Sequence, residues 1–191
     1  MNETAKEILS DLGISSDYSN ATLERISSAE SKYLRDLKLN VKTVLASEHL
    51  SAKETHLLAL AVATNNNKEI LANAFATKAK ELGASDAEIA DAEACASLLS
   101  ANNILYRFRH FVGKENYNNA PARLRMNIMM SPVLGKEFFE LVSLAVSAVN
   151  GCEMCVKSHE QSVLAAGSNE NRVWDSIRIA SVITSLGKIV Y

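Results

Sequence analysis

Cys152 and Cys155 stand three residues apart, and His159 follows Cys155 by four. They lie within the stretch Gly151-Cys152-Glu153-Met154-Cys155-Val156-Lys157-Ser158-His159-Glu160. A sulfur pair at this spacing, with an imidazole close by, can exchange electrons with a peroxide or a disulfide, or it can hold a metal. Residues 141–149 are apolar, Asn150-Gly151 breaks the run, and residues 160–166 are polar with apolar residues at helical spacing. This pattern predicts that the cysteines open a new helix. There the unpaired N–H groups and the positive end of the helix dipole favour a thiolate. Cys155 and His159, at i and i+4, share a face of that helix, and Cys152 joins it. A nucleophilic sulfur, a partner sulfur and a base are thereby expected in one place.

Three readings compete for the pair. Two inert buried cysteines are the plainest, but this spacing at a helix start is unusual for them. A zinc site could use both sulfurs and His159, yet a closed site needs a fourth ligand, usually from a second C-x-x-C or H-x-H element, and the chain has none. A redox dithiol, with His159 accepting the thiol proton, is the reading the spacing favours. Glu140 precedes Cys152 by twelve residues, among Phe139, Leu141, Val142 and Leu144. A carboxylate drawn into such surroundings needs a partner, and an imidazole is a natural one. A solvated glutamate at a helix end is the alternative. Glu137 and Glu160 are weaker candidates for the same task. Cys95 reads as a buried structural cysteine. His49, His56 and His110 lack a constellation. Arg107, Arg109, Arg123 and Arg125 are expected in surface or subunit-interface ion pairs.

Helices have to position these groups. Residues 3–12 read as a short helix ending near Gly13, and Asn20 as the cap of a second with Ile26, Tyr33, Leu34 and Leu37 on one side. Residues 39–51 read as a mixed segment. Helices are expected over 54–63 and 68–82, broken at Asn65-Asn66-Asn67 and stopped by Gly83. Ser85 or Asp86 caps a long helix through Ala87, Ile89, Ala92, Ala96 and Leu99. Residues 106–134 hold both prolines and are the least regular stretch. Residues 136–149, 153–166 and 169–188 read as three further helices. Residues 56–105, shifted by 84 positions, lie on 140–189 without a gap, which predicts a single domain over 1–191 built from two related helical units. The first unit has Lys68, Leu71 and Phe75 opposite Cys152, Cys155 and His159, and His56 opposite Glu140. It is expected to keep the scaffold and lack the site.

Composition agrees with an all-α class. Only two prolines and seven glycines occur in 191 residues. A net charge of −2 implies no general attraction to nucleic acid or anionic lipid. The N-terminus lacks an apolar leader segment, and the apolar run at 141–149 is too short to span a bilayer, so the cytosol is the expected location. In that compartment a close cysteine pair is expected to be catalytic or metal-binding rather than a structural staple.

Beyond the C-x-x-C-x-x-x-H motif, further stretches carry a resemblance. They are Lys38-Leu39-Asn40, Asn102-Asn103-Ile104-Leu105-Tyr106-Arg107, Leu124-Arg125-Met126-Asn127-Ile128, Phe139-Glu140-Leu141 and Ala145-Val146-Ser147-Ala148-Val149-Asn150-Gly151-Cys152. In these the chain resembles the AhpD family, the alkyl hydroperoxide reductase D components, within the wider carboxymuconolactone decarboxylase-like fold. The resemblance implies an all-helical homotrimer that binds no cofactor. It implies a thiol peroxidase that also reduces the peroxiredoxin AhpC, with electrons from a dihydrolipoyl group on a 2-oxo acid dehydrogenase component, the acyltransferase. It makes Cys155 the cysteine that forms sulfenic acid and Cys152 its proton donor and disulfide partner. His159 and Glu140 become the proton relay. Some members carry a histidine between the cysteines where this chain has Met154. Plain decarboxylases of the superfamily generally lack the cysteine pair. A general disulfide reductase with little peroxidase activity, and a zinc-stabilised helical interaction protein, remain the alternatives.

Overall fold

The computed structural model describes residues 1–191. Ten α-helices and one 3-10 turn carry the chain, and the expected all-α class holds. In order they are α1 (Glu3–Asp11), α2 (Ala21–Ser28), α3 (Lys32–Leu45), α4 (Ala52–Asn65), α5 (Glu69–Glu81), α6 (Asp86–Val112), α7 (Glu115–Asn119), the 3-10 turn Asn127–Met130, α8 (Lys136–Val149), α9 (Glu153–Ala165) and α10 (Glu170–Leu186).

Two helices that are apolar on most sides form the centre. α4 buries every residue from Leu57 to Ala63, and α8 every residue from Phe138 to Ser147. A helix apolar all round has to be enclosed. α4 and α8 pack on each other, α5 lies along α4, α9 lies along α8, and α6 and α10 each contact both central helices. α8 and α9 begin and end 84 positions after α4 and α5, and α10 begins 84 positions after α6.

Side-chain caps set the helix starts. Ser51 and Ser85 each accept from the N–H three residues on, while Glu54 and Glu88 reach back to the cap N–H. Asn2, Asn20, Ser31 and Asn169 cap α1, α2, α3 and α10. The ends of the chain are tied together, because Asn20 donates to the Ile189 carbonyl at 2.8 Å and Tyr18 to that of Tyr191 at 2.8 Å.

Two expectations need correction. The helix capped by Asn20 stops at Ser28, Glu30 adopts φ +50°, and Ser31 caps a separate α3 that runs through the supposedly mixed residues 39–45. The signal for α3 is Leu34, Leu37, Val41 and Val44, a buried stripe at helical spacing. α6 continues to Val112, through residues expected to be irregular, because nothing in them breaks a helix until Gly113 turns left-handed at φ +62°. Its last turns carry no buried stripe, so periodicity gave no sign of them. No helix is long and apolar enough to cross a membrane.

Candidate active site

The site is built where α8 hands over to α9. Gly151 takes φ +68°, a left-handed value natural to glycine, and the Cys152 N–H returns to the Ser147 carbonyl at 3.0 Å. Cys152 is thereby placed as the residue capping α9, and Cys155 falls in its first turn. The two sulfurs are joined in a disulfide, with Cα atoms 5.2 Å apart. Cys152 is fully enclosed, whereas Cys155 keeps 7% of its surface open. Of the two, Cys155 is the residue that reaches the surface.

His159 lies one turn beyond Cys155 on α9 and is 8% exposed. Its Nδ1 donates to Glu140 Oε2 at 2.6 Å, and Glu140, on α8, is only 3% exposed. A carboxylate buried this deeply would be costly alone. It has a second partner in Lys136, one turn earlier on α8, whose Nζ reaches Oε1 at 2.7 Å. Burial pushes the Glu140 carboxyl up, but the hydrogen bonds from His159 and Lys136 outweigh it, and the pKa lies below the ordinary 4.5. Glu140 is therefore an anion at neutral pH. With Nδ1–H committed to it, Nε2 is the ring nitrogen of His159 left to accept a proton.

The four residues expected to work together are thus placed on two adjoining helices. Lys136 was missed, and its signal was the i, i+4 spacing from Glu140. The weaker candidates lie elsewhere. Glu137 pairs with Arg172, which also binds Glu54. Cys95 is fully buried, its Sγ 3.3 Å from Ser143 Oγ, and burial pushes its thiol up to about 12. His56 Nδ1 donates to the Ala52 carbonyl, and His110 Nε2 stands 3.3 Å from Glu153. The arginine group departs from expectation within the chain. None of the four meets a carboxylate, and Arg107 and Arg109 donate instead to the carbonyls of Asn150 and Ala120. No three His, Cys, Asp or Glu side chains converge as a metal cage would require.

The profile of the carboxymuconolactone decarboxylase family matches the chain twice, over residues 32–108 and 115–190. Proteins called alkyl hydroperoxide reductase AhpD are similar over most of their length. One from Anaeromyxobacter sp. (strain K) is 45% identical over 164 residues, covering 85% of this chain and 87% of its own. One from Coxiella burnetii (strain RSA 493 / Nine Mile phase I) is 40% identical over 161 residues, covering 82% of this chain and 90% of its own. The chain belongs to the AhpD family. In this AhpD-family chain the residue between the cysteines, Met154, is 44% exposed, and it borders a depression of about 310 Å³ lined by Tyr106, Arg109, His110, Gly113 and Asn118. A larger cavity of about 530 Å³ lies away from the sulfurs, beside His56 and Phe75.

The Glu140 shift has a consequence for stability. A carboxyl whose folded pKa is depressed contributes stability that is complete above its unfolded pKa and is lost as pH falls through the lower folded value. Wild type should therefore lose its thermal advantage over Glu140→Gln below about pH 4.3. Melting of both disulfide-bonded proteins from pH 7 to 3 checks this. Parallel curves would mean that the carboxylate is not held by its partners.

Proposed function

We propose that the protein is a thiol-dependent alkyl hydroperoxide reductase in which Cys155 attacks the peroxide and Cys152 closes the disulfide. The observation that carries this reading is the buried Glu140–His159 hydrogen bond one helical turn from Cys155, the more open of the two cysteines. The naming of the relatives points to the same activity.

In the reduced protein, His159 Nε2 takes the Cys155 proton, directly or through a water, and Glu140 stabilises the resulting imidazolium. The thiolate attacks the terminal oxygen of the hydroperoxide and the O–O bond breaks. Cys155 becomes a sulfenic acid, and the departing alkoxide takes the imidazolium proton to leave as the alcohol. Cys152 sulfur then attacks the sulfenic sulfur. The S–S bond forms, and hydroxide leaves with the Cys152 proton as water. Two electrons have passed from the two thiols to the peroxide. An external dithiol reverses the pairing by exchange, beginning at Cys155, the more exposed residue of the two.

The family resemblance supplies the rest of the proposal: a dihydrolipoyl acyltransferase as electron source, the peroxiredoxin AhpC as a further recipient of the electrons, and the cytosol as the place of action. It also supplies a homotrimer. An exposed apolar stripe along the end of α6, formed by Ile104, Phe108 and Phe111, fits a surface shared between copies.

Limiting peroxide added to reduced Cys152→Ala should leave a sulfenic acid at Cys155, detected by a dimedone-type label. Dihydrolipoamide should reopen the wild-type bridge faster than thioredoxin does. A label found at Cys152 of Cys155→Ala, with none at Cys155, would reverse the roles. Faster reduction by thioredoxin would favour a general disulfide reductase.

Sedimentation of the full chain should report a trimer, and Phe111→Glu, which places a charge on the stripe, should yield monomer. A wild-type monomer would refute the assembly.

A further inference from the structure

The stretch Asn102-Asn103-Ile104-Leu105-Tyr106-Arg107 on α6 takes no part in the chemistry above, yet two of its members reach the turn that carries Cys152. Asn103 is 1% exposed. Its Nδ2 donates to Ser147 Oγ at 3.0 Å, and its Oδ1 accepts from Asn150 Nδ2 at 2.9 Å. Asn150 also exchanges two hydrogen bonds with Asn65 at the end of α4, at 2.9 and 3.0 Å. Arg107 donates to the Asn150 carbonyl. Ser147 supplies the carbonyl that receives the Cys152 N–H. The two residues that set the turn, Ser147 and Asn150, are thus gripped from α6 and α4.

The junction 84 residues earlier shows what the bare scaffold needs. There Asn67 takes φ +54° where Gly151 takes +68°. Lys68 N–H returns to the Ala63 carbonyl at 2.9 Å, and Asn66 N–H to that of Val62 at 3.1 Å, as Cys152 and Asn150 do to Ser147 and Val146. The backbone turn is the same. The positions corresponding to Ser147, Asn103 and Arg107 are Ala63, Gly187 and Tyr191. Asn66 makes one amide hydrogen bond, to Thr184, and no amide cluster forms around it. The same backbone turn thus closes there with a single amide bond at Asn66, whereas Asn150 is held by Asn103, Asn65 and Arg107. The cluster occurs at the junction that carries cysteines.

We propose that Asn103, together with Asn150, Asn65 and Arg107, is the positioning residue for Cys152, holding its sulfur within bonding reach of Cys155 in the reduced protein. This rests on reading the pair as a redox dithiol. A loosened turn gives the open dithiol freedom that the closed, covalently constrained form cannot share. Loosening therefore shifts the balance toward the dithiol and slows closure.

The full chain should be equilibrated with mixtures of reduced and oxidised dithiothreitol, and the bridge read by alkylation and mass. Each opening transfers two electrons and two protons from the small dithiol to the protein. Asn103→Ala should move the equilibrium about tenfold toward the open form, a potential about 30 mV less negative. Ser147→Ala keeps the Asn103–Asn150 bond and should shift it by less. Leu9→Ala, on the buried face of α1, should lower thermal stability and leave the potential at the wild-type value. If Asn103→Ala does not fold, Arg107→Met should shift the balance in the same direction. A shift in the first folded variant of that pair no greater than in Leu9→Ala would overturn the proposal. The assay needs no peroxide, so a bridge that exchanges in wild type but ignores peroxide would refute the peroxidase reading and leave this one standing. A wild-type bridge that no dithiol opens would refute both.

Discussion

A carboxylate sealed into the apolar helix α8 has to be answered by opposite charge, and the answer organises the site. Glu140 is surrounded by fully buried neighbours, Phe139, Leu141 and Val142. Left unpaired, it would take up a proton or destabilise the helix pair. Lys136 answers one oxygen along the same helix, and His159 answers the other across the turn. The second contact fixes more than charge. It holds the imidazole ring in place, commits Nδ1 and leaves Nε2 free to accept a proton.

The turn between the helices is the other half of the constraint. α8 is enclosed almost throughout, while α9 buries only Cys155, His159 and Val163. An abrupt change from enclosed to open helix at Asn150–Gly151 brings the cysteines to the edge of the core without releasing them from it. The junction of α4 and α5 makes the same change with different occupants. There His56 sits edge-on to Phe75, with ring centroids 6.2 Å apart, in the places held by Glu140 and His159. Burial lowers the pKa of His56, its Nδ1 bond to Ala52 opposes that, and nearby Lys78 lowers it further. A similar scaffold thus accommodates a ring contact at one junction and a carboxylate–imidazole hydrogen bond at the other.

The local parts of this arrangement were legible in the sequence and the distant parts were not. The helix after Gly151, the shared face of Cys155 and His159 and the bounds of α8 follow from apolar spacing and one glycine, all within a few residues. The pairing of Glu140 with His159 was legible because a carboxylate in an apolar run demands a partner, and the turn brings a histidine back beside it. Lys136 was equally local and was overlooked for the more conspicuous histidine. The grip of Asn103 and Arg107 on Asn150 joins residues more than forty positions apart. No periodicity encodes such a contact, and the arginines looked like partners for surface acids until the packing of α6 showed them reaching carbonyls. The separate α3 was obscured because no glycine or proline marks the break at Ala29–Glu30.

The pH dependence of alkylation at Cys155 tests the central claim most directly, measured by mass in reduced wild type, Glu140→Gln, His159→Phe and the double variant. If the buried pair draws the proton from Cys155, the wild-type thiol titrates below the free-cysteine value of about 8.5. Each single variant moves it up toward that value, and the double variant moves it little further, because both residues act through one proton path. His159→Phe should fold, since Phe75 occupies the corresponding place in the first half. A Cys155 titration unchanged by Glu140→Gln, or losses that simply add in the double variant, would contradict the account.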